Sequence, residues 1–184
     1  MADTGVAAVI DVETTGFSPG SDEVVELGLV LFSFERPQGR LLEILGEYGG
    51  LRDPGRPIPA GATAKHGLTW DHVRGHALDR AAVRSLLQRA EFVIAHNSSF
   101  DRGFVVRLFP EASAVRWACS MNGVAWNAHG FRSRALQALL AAHQIAVDNA
   151  HRALDDARNT LRLLALERAD GTTYLAELLR AGRA

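Results

Sequence analysis

The chain has 184 residues, a formal net charge of −1, and 47% hydrophobic against 22% charged residues. That balance fits one globular domain over 1–184, with a core over about 6–168 and a C-terminal helix over 172–182, and it excludes a disordered chain. No apolar stretch approaches the ~20 residues of a membrane helix, and Met1-Ala2-Asp3-Thr4-Gly5 has no basic region leading into an apolar run, so the reading is a cytoplasmic protein that meets no membrane.

Cys119 is the only cysteine, which rules out an internal disulfide, and its flanks Trp117-Ala118 and Ser120-Met121 predict a buried, inert thiol. The near-zero net charge gives no whole-molecule signal for nucleic acid. Of the 20 basic residues only Lys65 is lysine. Locally, Arg102, Arg107, Arg116, Arg132 and Arg134 face only Asp101 and Glu111 in their stretch, a basic wall if they share a face.

In chain order, Val6-Ala7-Ala8-Val9-Ile10 predicts a strand ending in Asp11-Val12-Glu13, and residues at i and i+2 of a strand share a face. Two like charges held that close need a cation or free access to water. A turn at 16–21 leads to a β-rich run over Val24–Phe32, and a turn at Arg36-Pro37-Gln38-Gly39 to a third strand over Leu41–Leu45. Short links between three strands predict an antiparallel meander. Arg52–Pro59 holds prolines and a glycine and predicts a loop before a short helix from Ala60.

A helix begins at Asp79, a strand covers Phe92–Ala95, a helix covers Phe100–Phe109 and a short strand Val115–Ala118. Helices follow over Arg134–His143, Arg152–Arg168 and Thr172–Leu179. Strands that alternate with helices favour parallel pairing of the later strands with the first. The fold class is therefore α/β, a mixed sheet with helices on both faces.

Two further places carry acids that are hard to explain as surface residues. In His96-Asn97-Ser98-Ser99-Phe100-Asp101, Asp101 projects close to the centre of the apolar arc of Phe100, Phe104, Val105, Leu108 and Phe109. An inward carboxylate needs a compensating cation, either an arginine or a metal. Asn97 or Ser98 reads as a helix cap. In His151-Arg152-Ala153-Leu154-Asp155-Asp156-Ala157, both Asp155 and Asp156 flank the stripe of Leu154, Ala157, Leu161, Leu164 and Ala165, and periodicity does not choose between them.

Together these places resemble the DnaQ-like 3′-to-5′ exonucleases of the DEDDh branch. The carrying motifs are Asp11-Val12-Glu13-Thr14-Thr15-Gly16, His96-Asn97-Ser98-Ser99-Phe100-Asp101, and His151 with Asp156 five positions on; Glu23–Gly28 and His66-Gly67-Leu68-Thr69 also look like family landmarks. The resemblance runs from about Val6 to Ala165 and implies a ribonuclease H-like, five-stranded mixed sheet with the first strand central. It selects Asp156 over Asp155.

It further implies two divalent cations, Mg2+ or Mn2+, on Asp11, Glu13, Asp101 and Asp156, which suits hard oxygen ligands. His151 becomes the base that takes a proton from water. Substrate contacts are expected from Thr14, Thr15 and Gly16, whose amides and hydroxyls reach sugar or phosphate. Phe17 is either packed or a wedge against the terminal base. His66 is either near the 3′ end or a hydrogen-bonded loop histidine, Asn97 adjoins the second motif, and His96 reads as a structural strand-end residue. The expected partner is the 3′ end of nucleic acid, single-stranded DNA ahead of RNA, with a polymerase or repair protein as a further partner. The rival readings are an exoribonuclease or oligoribonuclease, and a binding module with weak catalysis.

Overall fold

The computed structural model describes residues 3–147 and 149–181, so Met1, Ala2, Asp148 and the last three residues, including the end of the helix expected over 172–182, lie outside the described residues. Its strands are β1 (Thr4–Thr14), β2 (Val24–Glu35), β3 (Arg40–Leu51), β4 (Phe92–Ala95) and β5 (Arg116–Cys119). The helices are α1 (Ala60–His66), α2 (Trp70–Val73), α3 (Arg80–Arg89), α4 (Ser98–Leu108), α5 (Ser120–Gly123), α6 (Leu136–Ala142), α7 (Ala153–Leu164) and α8 (Tyr174–Ala181). A 3-10 turn, Pro110–Ser113, precedes β5. No helix among the described residues is long and apolar enough to cross a membrane.

The five strands lie in the order β3-β2-β1-β4-β5. β1, β2 and β3 pair antiparallel, as short links dictate, whereas β4 and β5 join in parallel through helical connections. The expected mixed sheet with β1 at its centre is therefore what forms.

Alternation along β1 divides the core. Ala7 and Val9 face α6, α7 and α8 in a cluster with Val30, Phe32 and Phe34 of β2, while Ala8, Ile10 and Val12 face α3 and α4 with Leu27, Leu29 and Leu31. By the same alternation Asp11 and Glu13 belong to the α7 side. Helices thus cover both faces.

Several local readings are corrected. The first three strands run past their apolar stretches because cross-strand pairing carries polar residues into the ladder; Glu13 pairs with Glu26 inside it. Asp79 caps α3 as expected, accepting from Ala81 N and Ala82 N. Asn97 does not cap α4: it adopts φ 80, a left-handed conformation that asparagine tolerates, and it makes no side-chain bond to the helix amides.

Cys119 is half-buried rather than buried. Burial pushes its thiol up, but hydrogen bonds from Ser98, Asn122 and Asn97 outweigh this and hold it below the ordinary value. The five arginines do not form a wall on the cleft described below. Arg107 instead bonds Pro19 O, Asp22 O and the Glu23 carboxylate, and Arg134 bonds Asn122.

Candidate active site

Three elements deliver four acids to one place. β1 supplies Asp11 and Glu13 on its α7 side; α4 supplies Asp101, 2% exposed, from the other side of the sheet; α7 supplies Asp156, 5% exposed, from its first turn. The last parallel pair between β1 and β4 is Val9 with Ile94, and past it the amide of Val12 donates to Asp101 Oδ1 at 3.1 Å. That bond is what brings an α4 carboxylate to the end of β1. No arginine bridges Asp101 among the described residues.

Packing separates Asp155 from Asp156. The buried residues of α7 are Ala153, Asp156, Ala157, Asn159, Thr160, Leu161, Leu163 and Leu164, so the core stripe leans towards Asp156. Asp155 lies outside it and pairs with Arg158 at 3.2 Å. Leu154, which the periodicity placed within the stripe, is only partly buried and lies over Gly49 of β3, where an added Cβ would meet its Cδ2 at 3.0 Å.

Asp156 is held from both sides, Oδ1 accepting from Gln137 Nε2 at 3.2 Å and Oδ2 from His151 N at 3.1 Å. His151 itself takes φ 62 just before α7. Ligand atoms of Glu13, His151 and Asp156 lie within 4.8 Å of one another.

All the predicted site residues line one cleft of about 530 Å3, together with Lys65, Phe100 and Gln137. Thr14 and Thr15 spend their hydroxyls inside the loop rather than towards the cleft: Thr14 Oγ1 donates to Gly16 O at 2.6 Å and Thr15 Oγ1 to Asp22 Oδ1 at 3.1 Å. A Cβ at Gly16 would lie 2.5 Å from Asp22 Oδ2, so only glycine lets Asp22 pull this loop tight. The tied loop leaves Phe17 83% exposed, with its ring edge towards Phe100 at 6.5 Å.

His66 is buried, donates from Nε2 to Thr14 O at 3.3 Å and accepts from Leu68 N at Nδ1, so it ties the end of β1 to the segment that follows α1. His96 likewise bonds Ser120 Oγ and Arg134 O, a structural arrangement as expected. Asn97 lines the cleft without capping anything.

The electrostatics show what the cleft lacks. Burial, then Asp101, Glu13 and Asp156, raise Asp11 well above the carboxylate range. Burial first of all pushes Glu13 up to about 8 and Asp101 up to about 7, and raises Asp156. Among the described residues the carboxylates of Asp11 and Glu13 have no hydrogen-bond or ion-pair partner. Among the described residues Lys65, at the end of α1, is the one basic side chain lining the cleft apart from its histidines, and its charge lowers Asp11, Glu13 and Asp101.

One ammonium does not balance four carboxylates. The oxygen-rich set fits hard divalent cations, and these would take up the charge that the protein leaves unmatched. Sequence reasoning missed Lys65 and Gln137 as parts of the site. A lone lysine among arginines was a signal for the first; nothing in the sequence singled out the second.

A five-stranded mixed sheet whose central strand ends in paired acids, joined in one cleft by acids from two flanking helices and a histidine, is the arrangement of the exonuclease class that the sequence motifs resemble. The chain belongs to the Exonuclease family (RNase_T), whose model matches residues 8–164. It is 28% identical over 179 residues to the PolC-type DNA polymerase III of Thermotoga maritima, covering 92% of this chain and 13% of that protein. It is also 39% identical over 103 residues to a DNA polymerase III subunit epsilon-like protein of Rhodobacter capsulatus, covering 54% of this chain and 14% of that one.

The chain thus spans about an eighth of the length of these curated relatives. Among solved structures, E. coli exonuclease I in complex with a dA16 oligonucleotide superposes with a TM-score of 0.73 at 18% identity, covering 98% of this chain and 44% of that one. The same enzyme with a dT13 oligonucleotide gives 0.71 at 17% identity, covering 90% and 41%. At that identity the match shows the shared fold.

Proposed function

We propose that this chain removes nucleoside monophosphates from the 3′ end of single-stranded DNA, in proofreading, repair or DNA maintenance. In this reading Asp11, Glu13, Asp101 and Asp156 hold two Mg2+ or Mn2+ ions, and His151 is the base. The carrying observation is the convergence of four acids from β1, α4 and α7 on one cleft, with their charge unmatched by the protein. Bound there, such ions supply water activation and stabilise charge on the phosphate and the leaving 3′ oxygen.

The protein's own groups do the rest. His151 lies beside Glu13 and Asp156 and takes the proton of the attacking water. Gln137 and the His151 amide orient Asp156. Lys65, which lines the same cleft as the acids, meets the substrate phosphate. Phe17, projecting from a loop tied by Asp22, stacks on the terminal base, a contact that tolerates any sequence.

DNA is favoured over RNA because the relatives include a PolC-type DNA polymerase III and a DNA polymerase III subunit epsilon-like protein, and the similar solved enzyme carries DNA oligonucleotides. A polymerase or repair protein is the corresponding partner. The test is parallel digestion of 5′-labelled single-stranded DNA, RNA and dinucleotides, with and without chelator. Stepwise shortening of DNA that chelator abolishes is expected. Exclusive action on RNA would replace DNA by RNA, and binding without release would leave a binding module.

A further inference from the structure

Glu26-Leu27-Gly28 stands out in the sequence, yet none of its residues lines the cleft. We infer that Glu26 is a positioning residue that, with Gly28, seats the start of α7 on β2 and so fixes His151 and Asp156 against Glu13. The inference rests on the exonuclease reading for its catalytic consequence.

The register places the seat beside the site. Asp11 pairs with Gly28 and Glu13 with Glu26, so the two acids of β1 and the two seat residues of β2 form a cross-strand quartet on the α7 face. At Gly28 the helix touches the sheet backbone directly. A Cβ there would lie 2.2 Å from Ala153 C and from Leu154 N, which no side chain survives.

Two residues before it on the same face, Glu26 is 5% exposed and accepts four hydrogen bonds. Arg152 Nε donates to both its oxygens at 3.1 Å, Arg152 Nη2 to Oε1 at 2.7 Å, and Ala153 N to Oε2 at 3.0 Å.

The last of these bonds does the work of a helix cap. Arg152 occupies the N-cap position of α7 and caps nothing with its own side chain, so a first-turn amide would be orphaned without Glu26. A carboxylate at that end also meets the positive pole of the helix. Because His151 precedes Arg152 and its amide is bonded to Asp156 Oδ2, a shift at Ala153 moves base and ligand together.

The arginine has a second effect. Glu26 faces Glu13 directly across the ladder, and pairing it with Arg152 keeps that neighbour from standing as a second uncompensated charge beside a metal acid.

The test compares wild type, Glu26→Gln, Arg152→Gln and the double variant by single-turnover cleavage of a labelled single strand and by Mn2+ binding to DNA-free protein, followed by electron paramagnetic resonance. Thermal melts confirm folding, and Arg152→Gln carries the test if Glu26→Gln does not fold, since the Arg152 side chain is 44% exposed. Each single variant should lose about 10- to 100-fold in rate and in Mn2+ affinity. Oligonucleotide affinity in chelator should stay within about twofold of wild type, and the double variant should be no worse than the poorer single.

A folded Glu26→Gln protein with wild-type rate and Mn2+ affinity would overturn the inference, as would single losses that multiply in the double variant. If wild type releases no nucleotide while Glu26→Gln still weakens Mn2+ binding, the exonuclease reading falls and the seat stands. A wild type that binds no Mn2+ overturns both.

Discussion

Replacing Asp101 by asparagine should stabilise the metal-free protein at pH 8 while removing its response to metal. Asp101 is 2% exposed, and burial lifts its pKa from 3.8 to about 7. Between these values the unfolded chain has released a proton that the folded chain keeps, so the folded state binds more protons and stability falls as pH rises through this window. The cost is absent below 3.8, grows with pH, and is complete above about 7. Three units correspond to about 4 kcal/mol. Asparagine never incurs this cost and can still accept from Val12 N, but its buried amide lacks a partner at about 1–3 kcal/mol.

The net gain is therefore about 2 kcal/mol at pH 8, or a Tm about 4–8 °C higher in chelator; the sign reverses at about pH 5, and at pH 4, where only the amide cost remains, the variant is the less stable protein. Calorimetric melts of both proteins at pH 4, 6 and 8, with chelator and with millimolar Mg2+ or Mn2+, measure it. Wild type should rise with metal, and Asp101→Asn should not. A variant less stable than wild type at pH 8 in chelator, or a Tm difference independent of pH, would show that the carboxylate is a structural anchor and not a site awaiting a cation.

His151→Ala should reduce single-turnover cleavage by about 100- to 10,000-fold with oligonucleotide affinity in chelator nearly unchanged, and an unchanged rate would remove His151 as base. Lys65→Met should weaken binding of single strands in chelator and flatten its dependence on log salt by about 0.7, the signature of one lost phosphate contact; an unaltered slope from a salt titration would place Lys65 off the phosphate.

Much of this architecture was legible in the residues. Short links gave the β1-β2-β3 meander, and alternation of strands and helices gave the parallel β4 and β5. Asp101 was legible as an inward acid because its neighbours define a wide apolar arc. Asp156 was not, because helical projection gives angles and not the neighbour that each angle meets; the stripe leans once α7 packs down on Gly28.

The cap expected at Asn97 failed for a related reason, since cap chemistry presumes an extended backbone and this residue is left-handed. Thr14 and Thr15 line the cleft, and the sequence did not announce that their hydroxyls bond partners within two to eight positions. Long-range partners such as Gln137 for Asp156 leave no trace in a local pattern.

These failures and successes have one physical origin. A strand end can carry two acids on its own, but bringing in a third and a fourth requires helices to approach the sheet more closely than ordinary side chains allow. Here the approach is made by a glycine under Ala153 and by a carboxylate that accepts the Ala153 amide, while on the other side the free Val12 amide draws in Asp101. Burial in the resulting cleft raises the proton affinity of every acid there, so protons and cations compete for the same oxygens. The free energy that burial costs these carboxylates is returned when a cation displaces the proton. It follows that metal affinity must climb as pH rises towards 8, the value to which Glu13 is pushed, and that the folded scaffold and not the cation supplies the geometry.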